Sequence, residues 1–299
     1  MAQPIGVLVN PTSGKGKGAS AGLQVLSVLN ELDVATADLS GNSFEESLGN
    51  ARAAVAAGTI RALMVVGGDG MVHLGVNACA KSNIPLAIIA AGTGNDAAST
   101  LHLPIGDVRA GVEAALAGLQ APRRVDLIQG KTPERSFFSF GTISAGFDAL
   151  VNAKANRMRF PKGPSRYQVA MVLELLRFRG IQYRVTIDGK ERELEAMLCA
   201  VANAPAFGGG MLIAPHAKVD DEKLDLFIVH KISRLELLKV FPKVFTGRHV
   251  SHPAVEFVEL SSAHLDSQGL PVYSDGEHVG SSPLEVAVAP GALWVCAPA

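Results

Sequence analysis

The sequence predicts two parts, a three-layer α/β domain followed by a mostly antiparallel β domain. Three observations carry this. In the first half short apolar runs alternate with helical stretches, whereas beyond residue 121 β-rich runs dominate. The sharpest glycine-rich turns of the first half follow its apolar runs. Hydrophobic residues make up 48% of the 299 residues, enough to build a core and to exclude disorder for most of the chain.

Element by element, Ile5-Gly6-Val7-Leu8-Val9 reads as a buried strand, followed by a turn-rich stretch, Asn10 to Gly18. Leu23, Leu26, Leu29 and Leu32 recur at helical spacing over 19–32. Val34 to Leu39 reads as a strand, 43–57 as a helix opened by Ser43, Glu45 and Glu46, and 62–66 as a buried strand ending at Gly67. A helix over 71–82 and a strand over 85–90 follow. Such alternation implies a parallel sheet covered on both faces. From Arg124 the strand-like runs are 124–129, 136–143, 181–187, 194–202, 224–230, 255–260, 272–274 and 284–288. Asp188-Gly189 and Ser267-Gln268-Gly269 mark turns, and helical stretches fall near 165–178 and 233–245. The second half therefore reads as a sandwich or barrel, with domains at 1–123 and 124–299.

Composition limits the function. With 27 Lys and Arg against 28 Asp and Glu, the net charge is −1, which argues against a protein built to coat nucleic acid. Cys79, Cys199 and Cys296 form neither a disulfide framework nor a zinc pattern and suit a reducing compartment. No run approaches the ~18 consecutive apolar residues of a membrane span, and no signal peptide is evident, so a cytoplasmic protein is expected. His249 and His252 lack the Glu of a zinc-protease helix, and surface roles are expected for both.

Three turns carry chemistry: Asn10-Pro11-Thr12-Ser13-Gly14 with Gly16 and Gly18, Gly67-Gly68-Asp69-Gly70-Met71-Val72-His73, and Gly92-Thr93-Gly94-Asn95-Asp96. Each follows an apolar strand and precedes a helix. Glycines there permit positive φ and close backbone approach, and a helix N-terminus favours anions. The three together point to a phosphorylated ligand. A P-loop is excluded because no Gly-x4-Gly-Lys-Ser/Thr occurs. The dinucleotide fingerprint is excluded by the spacing of Gly14, Gly16 and Gly18.

The triple Asn-Pro-x-Ser-Gly, Gly-Gly-Asp-Gly and Gly-Thr-x-Asn-Asp resembles the signature of the diacylglycerol kinase superfamily, which includes bacterial lipid kinases and the sphingosine and ceramide kinases. The resemblance runs on through Arg124 to Leu127, Ser144 to Ala149, Gly208 to Pro215, Asp220-Asp221, Leu224-Asp225 and Asp275-Gly276-Glu277. It implies a Rossmann-like domain and a β-sandwich domain with the active site in the cleft between them. It also implies ATP-dependent phosphorylation of a lipid hydroxyl, with Mg2+. By the same resemblance, Asn10, Pro11, Thr12, Ser13, Gly14, Ser40, Gly67 to His73, Thr93 and Asn95 contact the nucleotide. Asp69, Asp96 and Asp126 hold magnesium, directly or through water. Glu277, ranked slightly above Asp275, takes the proton of the hydroxyl. A second, structural magnesium is implied at Lys218 to Lys223, with the Asp221 carboxylate and main-chain oxygens of Lys218 and Lys223.

Three residues depart from the pattern. Met71 replaces a threonine, Ser99 an arginine, and Glu222 a glycine, which is expected to change that turn. Lys154, Arg157, Arg159, Lys162 and Arg166, interleaved with Met158, Phe160 and Tyr167, suggest peripheral contact with the inner face of an anionic membrane. Two other readings remain at this point, a soluble-metabolite kinase of the NAD kinase type and a weakened nucleotide- or lipid-binding homologue. A homodimer is compatible with the sequence, which carries no signature of oligomeric state.

Overall fold

The structure, a computed structural model, describes residues 3–146, 150, 151, 154, 157–160, 169, 170, 173, 174 and 180–298. Two compact units emerge, Met1–Leu127 with Ala289–Ala299, and Ile128–Val288. The sequence reading ran the second domain from 124 to the C-terminus. The last residues belong to the first unit because Val295 pairs in parallel with Leu86, and the Cys296 N–H donates to the Leu86 carbonyl.

In the first unit the strands are β1 (Ile5–Val9), β2 (Thr36–Asp38), β3 (Ala62–Gly67) and β4 (Leu86–Ala90), all parallel, in the order β2-β1-β3-β4. Helices α1 (Ser13–Glu31), α2 (Phe44–Ala56), α3 (Asp69–Cys79), α4 (Asp96–Thr100) and α5 (Val108–Gln120) connect them. Alternate residues of each strand face opposite ways. Ile5, Val7, Met64, Val66, Ala87 and Ile89 join Val25 and Leu29 of α1 and Val112 of α5 in one core. Leu63, Val65 and Leu86 are equally buried on the other face, where Gly75 of α3 lies so close that a Cβ would sit 2.5 Å from Leu86 Cδ1. A sheet covered on both faces needs these nearly unbroken apolar strands. Helix α1 begins earlier than its leucine spacing indicates, at Ser13, with Gly14 and Gly16 at φ 56° and 92° in its first turn.

The second unit is antiparallel. Its strands are the end of β5 (Arg123–Lys131), β6 (Ser136–Ser139), β7 (Thr142–Ser144), β8 (Ile181–Ile187), β9 (Lys190–Ala202), β10 (Leu224–His230), β11 (Val255–Leu260), β12 (Ser262–Asp266), β13 (Pro271–Ser274), β14 (Glu277–Ser281) and the start of β15 (Leu284–Val295). Strand β9 is central, pairing with β7, β8 and β10. Its Cys199 and Val201 enter one core with Ile143 and Ile228, while Ala200 and Ala202 enter a second with Phe227 and Val229. Helix α6 (Arg234–Val240) and the 3-10 turns Phe241–Thr246 and Arg248–Ser251 follow β10 in the chain, and Leu237, Phe241 and Val244 pack against the second core.

Several strand readings change. The run 136–143 is two strands, broken at Phe140-Gly141. Strands β12 and β14 escape the sequence reading, because serines open β12 and the motif residue Glu277 opens β14, leaving little apolar alternation. Phe147, Asp148 and Ala149, and most of the helical stretch near 165–178, lie outside the described residues. Among the described residues no helix is long and apolar enough to cross a membrane.

Candidate active site

The chain passes from β1 to β2 on one side and returns to β3 on the other, so the first unit's switch point lies between β1 and β3. Ligands of open α/β sheets bind outside the carboxyl ends of the strands at such a point. All three glycine turns leave carboxyl ends, after β1, β3 and β4.

The turns hold one another. Asn10 N–H donates to the Val66 carbonyl, and Ala91 N–H to that of Gly67. A Cβ on Gly92 would lie 2.2 Å from Gly68 Cα, so only two glycines allow this backbone crossing. The Asp69 carboxylate accepts from Asn95 N at 2.9 Å and Ala97 N at 3.4 Å, at the start of α4. Asn95, at φ 58°, accepts from Gly92 N through Oδ1 and donates to Gly92 O through Nδ2. In the first turn Asn10 Oδ1 accepts from Thr12 N and Thr12 Oγ1, while Asn10 O accepts from Ser13 N and Ser13 Oγ. The Ser40 hydroxyl accepts from Val9 N at 3.1 Å, which ties the residue after β2 to this edge.

The side chains expected to touch nucleotide therefore divide. Pro11, Thr12 and Thr93 are exposed, and Ser13 and Ser40 partly so. Val72 and His73 lie inside α3 and are buried, and the His73 ring stacks on Phe44 and meets Asn77. Met71 is buried against Gly67: a Cβ on Gly67 would come within 2.5 Å of Met71 Cγ. The side chain of Asn95 shapes its own turn.

Asp69, Asp96 and Asp126 do not converge as a ready-made cage: among the described residues no three His, Cys, Asp or Glu side chains group as a metal site. Asp126 is buried and accepts from Gly291 N at 2.6 Å. A Mg2+ carried by phosphates would not need such a cage, since magnesium keeps several waters and uses one or two carboxylates. At Lys218 to Lys223, Asp221 accepts from Lys223 N, and the Lys223 ammonium pairs with Glu259. Glu222 stands at φ 62°, the left-handed conformation that glycine favours.

In the second unit Asp275 and Gly276, at φ 50° and 88°, join β13 to β14 as a tight hairpin. The Asp275 carboxylate accepts from Phe140 N, Gly141 N and Thr142 N at 2.9–3.0 Å, and its own N–H donates to Thr142 O. Fully buried Asn203 holds the same break, with Nδ2 to Phe140 O and N to Gly141 O. Asn203 escaped the sequence reading, although a lone amide ending the apolar run Leu198 to Ala202 was its signal. Glu277, two residues beyond Asp275, is exposed. Asp275 thus positions the hairpin, and Glu277 is the carboxylate presented to solvent.

The second core of this unit surrounds a cavity of about 100 Å³ lined by Met197, Ala200, Phe207, Met211, Ile213, Phe227, Leu237, Leu238, Phe241, Val244 and other apolar side chains, with His249. His249 is not a surface residue: it is fully buried, its Nε2 donates to Ile213 O at 3.0 Å, and burial lowers its pKa. All three cysteines are buried, and burial pushes Cys79 and Cys296 up to about 12.

Comparison with known proteins agrees with this architecture. Residues 4–129 match the diacylglycerol kinase catalytic domain, and 141–297 the YegS C-terminal NAD kinase beta sandwich-like domain. The "Diacylglycerol kinase" of Mycobacterium tuberculosis is 37% identical over 97% of this chain and 94% of its own. That of Staphylococcus carnosus is 27% identical over 74% and 71%. The crystal structure of a diacylglycerol kinase from Bacillus anthracis shares the fold, with a TM-score of 0.72 at 18% identity, over 99% of this chain and 97% of that one. The chain belongs to the diacylglycerol kinase family, kinases that phosphorylate a hydroxyl acceptor, and carries the family's YegS-type second domain.

Proposed function

We propose that the protein is an ATP-dependent lipid kinase that transfers the γ-phosphoryl group to the hydroxyl of a diacylglycerol-like lipid. The observation that carries this reading is the cavity of the second unit, whose lining among the described residues is apolar apart from His249. A dinucleotide or other soluble acceptor would bring polar groups that such a lining leaves without partners. An alkyl chain brings none.

Phosphoryl transfer is positioning and charge neutralisation. The backbone of the interlocked turns, with Thr12 and Thr93, would hold the phosphates of ATP, and Mg2+ would supply charge neutralisation there. Glu277 accepts the proton as the hydroxyl oxygen bonds to the γ-phosphorus and the bond to ADP breaks. Asp275 fixes the hairpin that presents Glu277. Incubation with γ-labelled ATP and a total lipid extract, with mass spectrometry of the product, tests this. A labelled phospholipid is expected. Label appearing only in a water-soluble metabolite would overturn the lipid reading, and ATP binding with no transfer would favour a binding homologue.

A further inference from the structure

We infer that residues 235–250 form the surface by which this protein docks on an anionic membrane, beside the apolar cavity. The inference deepens the lipid-kinase reading and rests on it for the surface's purpose.

The segment has two faces. Leu237, Val240, Phe241 and Val244, at positions i, i+3, i+4 and i+7, line the cavity from inside. Leu235, Leu238, Lys239 and Pro242 repeat that spacing on the other side and are exposed. Leu235 is 73% exposed, and Leu238 is 44% exposed while also lining the cavity, which puts it at the rim. Phe245 and Val250 add further exposed apolar surface, and the Phe245 ring meets the edge of Phe241, a lining residue. Large apolar side chains grouped in water mark an interaction site.

Charge selects the partner. Lys239, Lys243 and Arg248 are exposed, and among the described residues none of them makes an ion pair. The one acid of the segment, Glu236, pairs with His252. Apolar side chains flanked by unpaired cations suit insertion into a bilayer with anionic headgroups. A protein groove would bury these cations and require matching acids. Of the basic run expected to touch membrane, Lys154 pairs with Glu174, Arg157, Arg159 and Phe160 are exposed, and Lys162, Arg166 and Tyr167 lie outside the described residues.

Sedimentation of the full chain with vesicles tests the surface, comparing phosphatidylcholine alone with a mixture containing about 30% phosphatidylglycerol. Wild type is expected to bind the anionic vesicles, less so as salt rises. Lys239→Glu with Lys243→Glu is expected to weaken that binding about tenfold or more. Leu235→Glu should weaken it as well, with the melting temperature of each variant showing that it folds. Wild type left in the supernatant, or variants that bind as well as wild type, would overturn the surface. So would a wild-type dimer that these substitutions convert to monomer, because a second copy would then cover the face. The assay contains no ATP. Transfer to lipid without vesicle binding would remove the surface and leave the kinase. Binding without transfer to any lipid would do the reverse.

Discussion

The two candidate regions are built from different parts of the chain. In the first unit the backbone makes the site: Gly68 and Gly92 cross in contact, and Asp69 and Asn95 spend their side chains holding the turns. In the second unit a side chain is put forward: Asp275 locks a hairpin against three backbone N–H groups, and Glu277 stands exposed beyond it. Asp69 and Asp275 are alike in this respect. Each is the acid of a glycine motif, and each latches a neighbouring loop. An acid within a motif is therefore not a catalyst by position alone; its hydrogen bonds decide.

The largest test of that difference lies within one hairpin. Glu277→Gln should lower kcat by about 10²–10⁴-fold, the usual contribution of a general base, with the melting temperature unchanged. Asp275→Ala should instead unfold more easily, because three buried donors lose their acceptor at about 1–3 kcal/mol each. Equal thermal losses in both variants, or full activity in Glu277→Gln, would erase the distinction between latch and base. Next in size is Gly92→Ala. Its Cβ would fall 2.2 Å from Gly68 Cα, with backbone on the far side that cannot rotate away. A cost of about 1–3 kcal/mol and a KM for ATP raised at least tenfold are expected. Unchanged ATP kinetics would show that the crossing does not shape the nucleotide site.

The same contrast explains what the sequence revealed. Glycine turns at strand ends are local, so the three turns and the parallel strands were readable in order. The latches were not. Asp275 meets residues more than 130 positions away, and no spacing rule connects them. The break at Phe140-Gly141 was hidden for the same reason, since a distant carboxylate takes the N–H groups that a continuous strand would use. His249 reads as a surface histidine because no zinc-protease pattern claims it, and only the fold turns its ring onto Phe227.

His249 also makes the second unit responsive to pH. Burial lowers its pKa in the folded state, so the unfolded chain binds the proton more readily. Its contribution is complete above the unfolded pKa of about 6.5 and is lost as pH falls below it, at up to about 1.4 kcal/mol per pH unit. Thermal melts from pH 7 to pH 5 should show wild type losing more stability than His249→Phe. Parallel curves would mean that the ring accepts a proton in place.

The smallest expected effect concerns the far end of α4, the helix that starts in the third turn. There His102 stands at φ 55°, with its N–H on Ser99 O and Leu103 N–H on Ala98 O. These are the two bonds of a helix end that glycine normally closes. His102→Gly relieves the left-handed strain, about 1–2 kcal/mol for a residue with Cβ, but loosens the unfolded chain by about 0.4–1 kcal/mol. A net gain of about half a kcal/mol is expected, with ATP affinity unchanged. A shift in ATP affinity would show that strain at the end of α4 reaches the turn at its start, and the first unit's edge would then be a tensioned device rather than a rigid backbone cradle.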